Sequence, residues 1–271
     1  MSAVDWKPAA ESLAADLRRV FGDRLRSLVA YGSHLDGDDH APLTCLALVS
    51  TLTADDLHGC ATHATRWARG HIATPLILPE HEFRRSLDAF PLEYGEIIRA
   101  HERVLGENPF VDLEIAPADL RRACETQIKS HLVHLREGYI ESGGRPDAVA
   151  ELVIASAPGF TALLRNVARL NGVMSSGSSQ LDAQRPQQAS EGESRGATSE
   201  RPAEPREHRT SNRGDATHQG ARAAGLPAHV VADILALEQT PGTAGVDAAR
   251  LFPEYLAAVE RLAGAVDGWR D

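Results

Sequence analysis

Lysine is nearly missing from this 271-residue chain: only Lys7 and Lys129 occur, and arginine supplies the other positive charges. Lys and Arg together number 28 against 38 Asp and Glu, a formal net charge of −10 at pH 7. Affinity for a phosphate backbone comes chiefly from basic side chains, so nucleic acid is not an expected partner. Aromatics make up only 5% of the chain, and Trp6, Trp67 and Trp269 stand far apart, which offers no stacking platform for single strands. The three cysteines, Cys45, Cys60 and Cys124, are odd in number and widely spaced, so neither a disulfide framework nor a Cys-x-x-Cys pair exists. The N-terminus lacks the basic start and apolar core of a signal peptide. No run approaches the ~20 apolar residues of a membrane span. There is no Walker loop, no Gly-x-Ser-x-Gly and no dinucleotide fingerprint. These absences lead to the expectation of a cytoplasmic protein without a membrane partner.

What is present is a core-forming chain, 42% apolar, with clear local patterns. Leu13, Leu17, Val20 and Phe21 share one helical face over residues 9–21, and Gly22-Asp23 ends that helix. Residues 26–30 read as a strand. Residues 43–50 read as a second strand, too apolar for simple alternation and therefore buried on both faces. Thr53 reads as the N-cap of a helix running to about Arg69, with Asp56 three residues on. Residues 72–78, with Pro75 inside, read as a strand near a sheet edge. Residues 80–87 read as a short helix, 90–98 as a further strand and 103–109 as a turn.

The most informative stretch joins the first two strands. Leu28-Val29-Ala30-Tyr31 ends in Gly32-Ser33, Gly37 follows four residues after the serine, and Thr44-Cys45-Leu46-Ala47-Leu48-Val49 comes next. This resembles the active-site hairpin of the DNA polymerase β-like nucleotidyltransferases, whose pattern is Gly-Ser-x3-Gly, a polar stretch, then Asp-x-Asp on the next strand. Residues 90–98 and Arg103-Val-Leu-Gly-Glu-Asn-Pro109 are similar to a later phrase of the same family, which extends the resemblance to about residues 10–115. It implies an α+β fold: a nucleotidyltransferase-type mixed sheet with flanking helices over residues 1–115. In related enzymes acting on small substrates, such as the kanamycin nucleotidyltransferase-like ones, a helical bundle follows and completes the substrate cleft.

The resemblance also implies a chemistry, and there the chain departs from it. Two aspartates at i and i+2 on one strand point to the same side and share hard divalent ions such as Mg²⁺. Those ions clamp a nucleoside triphosphate and activate the attacking hydroxyl. Here Thr44 and Leu46 occupy the two ligand positions. Gly32, Ser33 and Gly37 remain as a nucleotide-binding turn. The carboxylates left to weigh are Asp36 and Asp38 in the connection and Glu93, the best match to the family's third acid on a later strand. The leading expectation is a catalytically degenerate homologue binding a nucleotide, a small ligand or a partner protein. The alternative is an active metal-dependent enzyme that uses Asp36, Asp38 and Glu93 on a small hydroxylated acceptor, with Mg²⁺ and a nucleoside triphosphate as its cofactors. A third is an antitoxin-like interaction module.

Beyond residue 116 the pattern is helical. Leu120, Cys124, Ile128, Leu132, Leu135 and Tyr139 recur at spacings of three and four up to about Ser142. Residues 147–171 give one or two helices, bent or broken at Pro158-Gly159. Residues 175–222 carry Leu181 as their only large aliphatic. Such a segment cannot bury enough surface to offset an ordering cost of ~1–2 kcal/mol per residue, and it is expected to be a disordered insertion within the 116–271 bundle. Further helices are expected at 226–237 and 252–269. The His58, Cys60 and His63 trio does not share a helix face and makes a poor zinc site. His131 and His134 read as surface or core-edge histidines.

Overall fold

The computed structural model describes residues 5–36, 40–182, 206–238, 242–243 and 245–269. The chain divides into two compact units, Met1–Asp119 and Leu120–Asp271. The architecture is α+β: a mixed four-stranded sheet with flanking helices, then an all-helical unit.

In the first unit the order is α1 (Lys7–Phe21), β1 (Leu25–Tyr31), β2 (Thr44–Val49), α2 (Ala54–Ala61), α3 (Ala64–Arg69), β3 (Leu76–Pro79), α4 (Glu80–Arg85), α5 (Pro91–Arg99) and β4 (His101–Gly106). The strands lie in the order β3-β2-β1-β4, with β2–β3 parallel and the other pairs antiparallel. Side chains alternate across a strand, so β1, β2 and β3 each feed two cores. Leu28, Ala30, Cys45, Ala47 and Val49 pack with Leu13, Leu17 and Phe21 of α1 and Trp67 of α3. Val29, Leu46 and Leu48 pack with Phe83 of α4, Tyr94 and Ile97 of α5, and Phe110. The expectation that the second strand is buried on both faces holds.

Two buried carboxylates tie the helices down. Asp56 accepts two hydrogen bonds from Arg24, at 2.6 and 2.7 Å, and a third from the Thr53 backbone N–H at 2.9 Å. Thr53 accepts in turn from the Asp56 N–H, so α2 begins with the expected cap in full capping-box form. The Arg24 bonds, opposed by burial and aided by Thr53, hold the Asp56 carboxyl well below the usual range. Asp16 of α1 accepts from the Trp67 indole at 3.0 Å and pairs with Arg66 and Arg19. Burial works to raise its pKa, but the bonds from Trp67 and Arg66 outweigh it and lower it. The helix expected over 53–69 is broken into α2 and α3.

One expected strand is a helix. Residues 90–98 form α5, because Pro91 suits a first helical turn and Leu92, Tyr94, Gly95 and Ile97 bury one side of it. The strand lies further on, at His101–Gly106, where a turn was expected. There it pairs with β1 and forms a sheet edge.

The second unit contains most of α6 (Pro117–Glu141), followed by α7 (Pro146–Asp182), α8 (Arg206–Ala223), α9 (Ala228–Leu237) and α10 (Ala248–Gly268). Helix α7 continues through Pro158 without the expected break. Its Pro146–Gly172 stretch is long and apolar enough to cross a membrane by length and composition, although no run of that kind was expected from the sequence. Its apolar side chains are spent on the bundle, with Val153, Phe160, Leu164 and Val167 all buried. Residues 183–205 of the expected insertion lie outside the described residues. Helix α8 follows from Arg206 and packs closely on α7. Small residues make this possible. A Cβ at Gly220 would stand 1.9 Å from the Leu164 carbonyl oxygen, so the two backbones meet almost directly, with Thr217 and Ala221 buried nearby.

Candidate functional site

The hairpin between β1 and β2 is the candidate site. Antiparallel register pairs Tyr31 with Thr44, Ala30 with Cys45 and Val29 with Leu46. Gly32 leaves the strand at φ 91°, a region that favours glycine. A 3₁₀ turn over Ser33–Asp36 follows, closed by the Leu35 N–H donating to the Gly32 carbonyl at 3.1 Å. Ser33 is half-buried at its start, and Leu35 anchors the turn in the α1-side core. His34 is buried, and its Nδ1 donates to the Ala41 carbonyl at 2.8 Å, which bridges the two ends of the connection.

Thr44 and Leu46 stand where the resemblance asks for metal ligands, and neither brings a carboxylate there. The Thr44 hydroxyl donates to the Tyr31 carbonyl across the hairpin. It lies so close above the turn that a Cβ at Gly32 would come within 2.7 Å of it. Leu46 is fully buried. Its lateral neighbours in the sheet are Val29 and Leu76, and Phe83, Tyr94 and Phe110 belong to the cluster on the same face. Leu46 thus lies within an aromatic and aliphatic core. Mg²⁺ demands oxygen ligands in near-octahedral array, so these two positions do not fit it. Among the described residues, no group of three His, Cys, Asp or Glu side chains could hold a metal ion.

The structure does not place Glu93 on a strand. Glu93 lies in the first turn of α5 and is exposed, while the opposite side of that helix is buried. The Asp36 side chain, Gly37 and Asp38 fall outside the described residues. The hairpin brings Gly32 and Thr44 together, with Ser33 next in the turn, while Leu46 lies further along β2 opposite Val29.

Three further residues at the strand ends were not singled out in the sequence. Tyr31 is half-buried, and burial, with Cys45 and Tyr94 nearby, pushes its pKa up. His101 is its partner in register on β4; its Nδ1 lies 3.1 Å from the carbonyls of Ile97 and Ile98, and its ring meets Phe110 edge-on. His34 is the third. Among the described residues, the turn therefore presents hydroxyls, imidazoles and backbone amides, groups that can hydrogen-bond a ligand. Antiparallel pairing of the two recognised strands could have pointed to Tyr31. His101 could not be found while residues 101–106 were read as connection.

Compared with known proteins, the chain matches no protein-family model and no curated protein. Among solved structures it is similar to a spectinomycin adenyltransferase from Enterococcus faecialis, determined with ATP and spectinomycin. The identity is 12% and the TM-score 0.45, over 96% of this chain and 98% of that chain.

Proposed function

We propose that this is a nucleotidyltransferase-type protein without metal-dependent transfer chemistry, which binds a nucleotide or another small phosphate-bearing ligand at the Gly32-Ser33 turn. One observation carries the reading: Leu46, at a ligand position, is sealed in an apolar cluster, while the Thr44 hydroxyl is spent on the Tyr31 carbonyl. The turn keeps what a phosphate would use, namely close backbone approach at Gly32 and the Ser33 hydroxyl. The three free, buried cysteines support action in a reducing cytoplasm. The active-enzyme reading needs Glu93 beside Asp36 and Asp38, and the exposed place of Glu93 on α5 counts against it.

Calorimetric titration of ATP and GTP, each with Mg²⁺ and with EDTA, tests the proposal. Binding of equal affinity in both conditions, weakened by Ser33→Ala, supports it. Binding that requires Mg²⁺ favours an active transferase. No heat with either nucleotide overturns nucleotide binding and favours a protein partner, as in an antitoxin-like module.

A further inference from the structure

The helical unit holds a pocket of about 280 Å³ between α6 and α7. Ligand pockets usually span about 300–1,000 Å³, so this one suits a molecule much smaller than a nucleotide. Leu135, Leu152 and Ala155 supply its apolar walls, and His131, His134, Ser156 and Gly159 its remaining side.

The polar atoms of that side are nearly all committed. The Ser156 hydroxyl donates to the Val153 carbonyl at 2.9 Å. Tyr255 of α10, wholly buried beneath the pocket, lies with its hydroxyl 2.7 Å from His131 Nε2 and directs its proton to the Ser156 carbonyl at 3.5 Å. Satisfying both contacts requires that His131 Nε2 carry the ring proton and donate to Tyr255, an assignment that leaves Nδ1 as an acceptor. Nδ1 has no hydrogen-bond partner among the described residues. Burial, reinforced by His134, lowers the His131 pKa and favours the uncharged ring.

The sequence keeps this edge of the ring uncovered at a cost. Glycine inside a helix is about 1 kcal/mol worse than alanine, yet Gly159 stands within α7. A Cβ there would sit 3.3 Å from both Nδ1 and Cε1 of His131. No carboxylate, lysine or arginine lines the pocket, and its second imidazole, His134, is exposed and turned to Glu137 at 3.4 Å.

We propose that this pocket binds a small uncharged, largely apolar molecule through one hydroxyl or N–H donor, with His131 Nδ1 as the acceptor. The Tyr255–His131 pair fixes the imidazole tautomer, and Gly159 leaves its acceptor edge open.

The test uses 2-naphthol, an uncharged probe with one donor, titrated into the ¹⁵N-labelled full chain while the histidine ring nitrogens are followed by NMR. The expected result is a saturable movement of His131 Nδ1, with Nε2 nearly unmoved. Naphthalene, which lacks the donor, should bind about tenfold more weakly, the worth of one hydrogen bond. Ala155→Trp at the exposed rim and Gly159→Ala beside Nδ1 should each reduce naphthol affinity about tenfold while the melting temperature is not lowered. No saturable shift at His131 would overturn the proposal. Equal affinity for naphthalene would overturn the role of Nδ1, and undiminished binding in both variants would overturn the location.

Discussion

Placing an aspartate at position 46 should strongly destabilise this protein rather than create a metal site. Leu46 is 0% exposed and packs among Val29, Leu48, Phe83, Tyr94 and Phe110. Loss of a buried leucine costs about 2–5 kcal/mol. A carboxylate in that cluster stays protonated, because an isolated buried charge is far costlier. Holding it neutral at pH 7 against an unfolded pKa of about 3.9 costs about 1.36 kcal/mol per pH unit, or about 4 kcal/mol. The sum, about 6–9 kcal/mol, is comparable to the whole stability of a domain, about 5–15 kcal/mol. The sign follows from linkage. The folded pKa is raised, so the extra penalty is absent below about pH 4 and grows as pH rises above the unfolded value. In urea denaturation, the deficit of Leu46→Asp relative to the unaltered protein should therefore shrink by about 3 kcal/mol between about pH 7 and about pH 4.5. Leu46→Asn, which does not titrate, should show no such pH term. A Leu46→Asp protein within about 1 kcal/mol of the unaltered one, or one stabilised by Mg²⁺, would refute the reasoning, since position 46 would then face a wet cleft.

Other parts of the fold carry their own expectations. Asp56→Asn should lower the melting temperature at neutral pH and lose that effect on acidification. The carboxyl's lowered pKa makes its contribution full above the unfolded pKa, about 4, and lost as pH falls. Gly32→Ala should cost about 1–2 kcal/mol in urea denaturation, from φ 91° and the 2.7 Å approach to Thr44 Oγ1. Thr44→Ala should relieve part of that cost in a double-mutant cycle. Gly220→Ala should cost at least about 1–3 kcal/mol in thermal unfolding, because the new carbon would overlap the Leu164 carbonyl and force α7 and α8 apart.

The hairpin, the two-sided burial of β2, the Thr53 cap and the α+β class were legible because each rests on local pattern. Gly32-Ser33 between apolar runs announces a turn, and Thr53 with Asp56 announces a helix start. The residues at 90–98 were misread because Pro91, Tyr94 and Ile97 suit a strand as well as a helix. Burial against Phe83 and Phe110 decides between them, and that contact is non-local. Helix α8 was not legible for a related reason. Its sequence offers no large apolar face, and it packs by close backbone approach at Gly220 instead. At the candidate site, Thr44 and Leu46 were legible as the residues at the two positions that the resemblance gives to metal ligands. Where their side chains went was not, since that depends on α4 and α5 closing over the sheet. Glu93 was assigned by similarity of phrase, and the helical turn puts it on the solvent side.

Pyrophosphate release from ATP is the most direct trial of the central claim. The purified full chain, given ATP, Mg²⁺ and a panel of hydroxylated small acceptors, should release no pyrophosphate above the protein-free rate and label no acceptor. Release that depends on Mg²⁺ and on an acceptor, and that disappears in Ser33→Ala, would contradict the account and make this an active transferase.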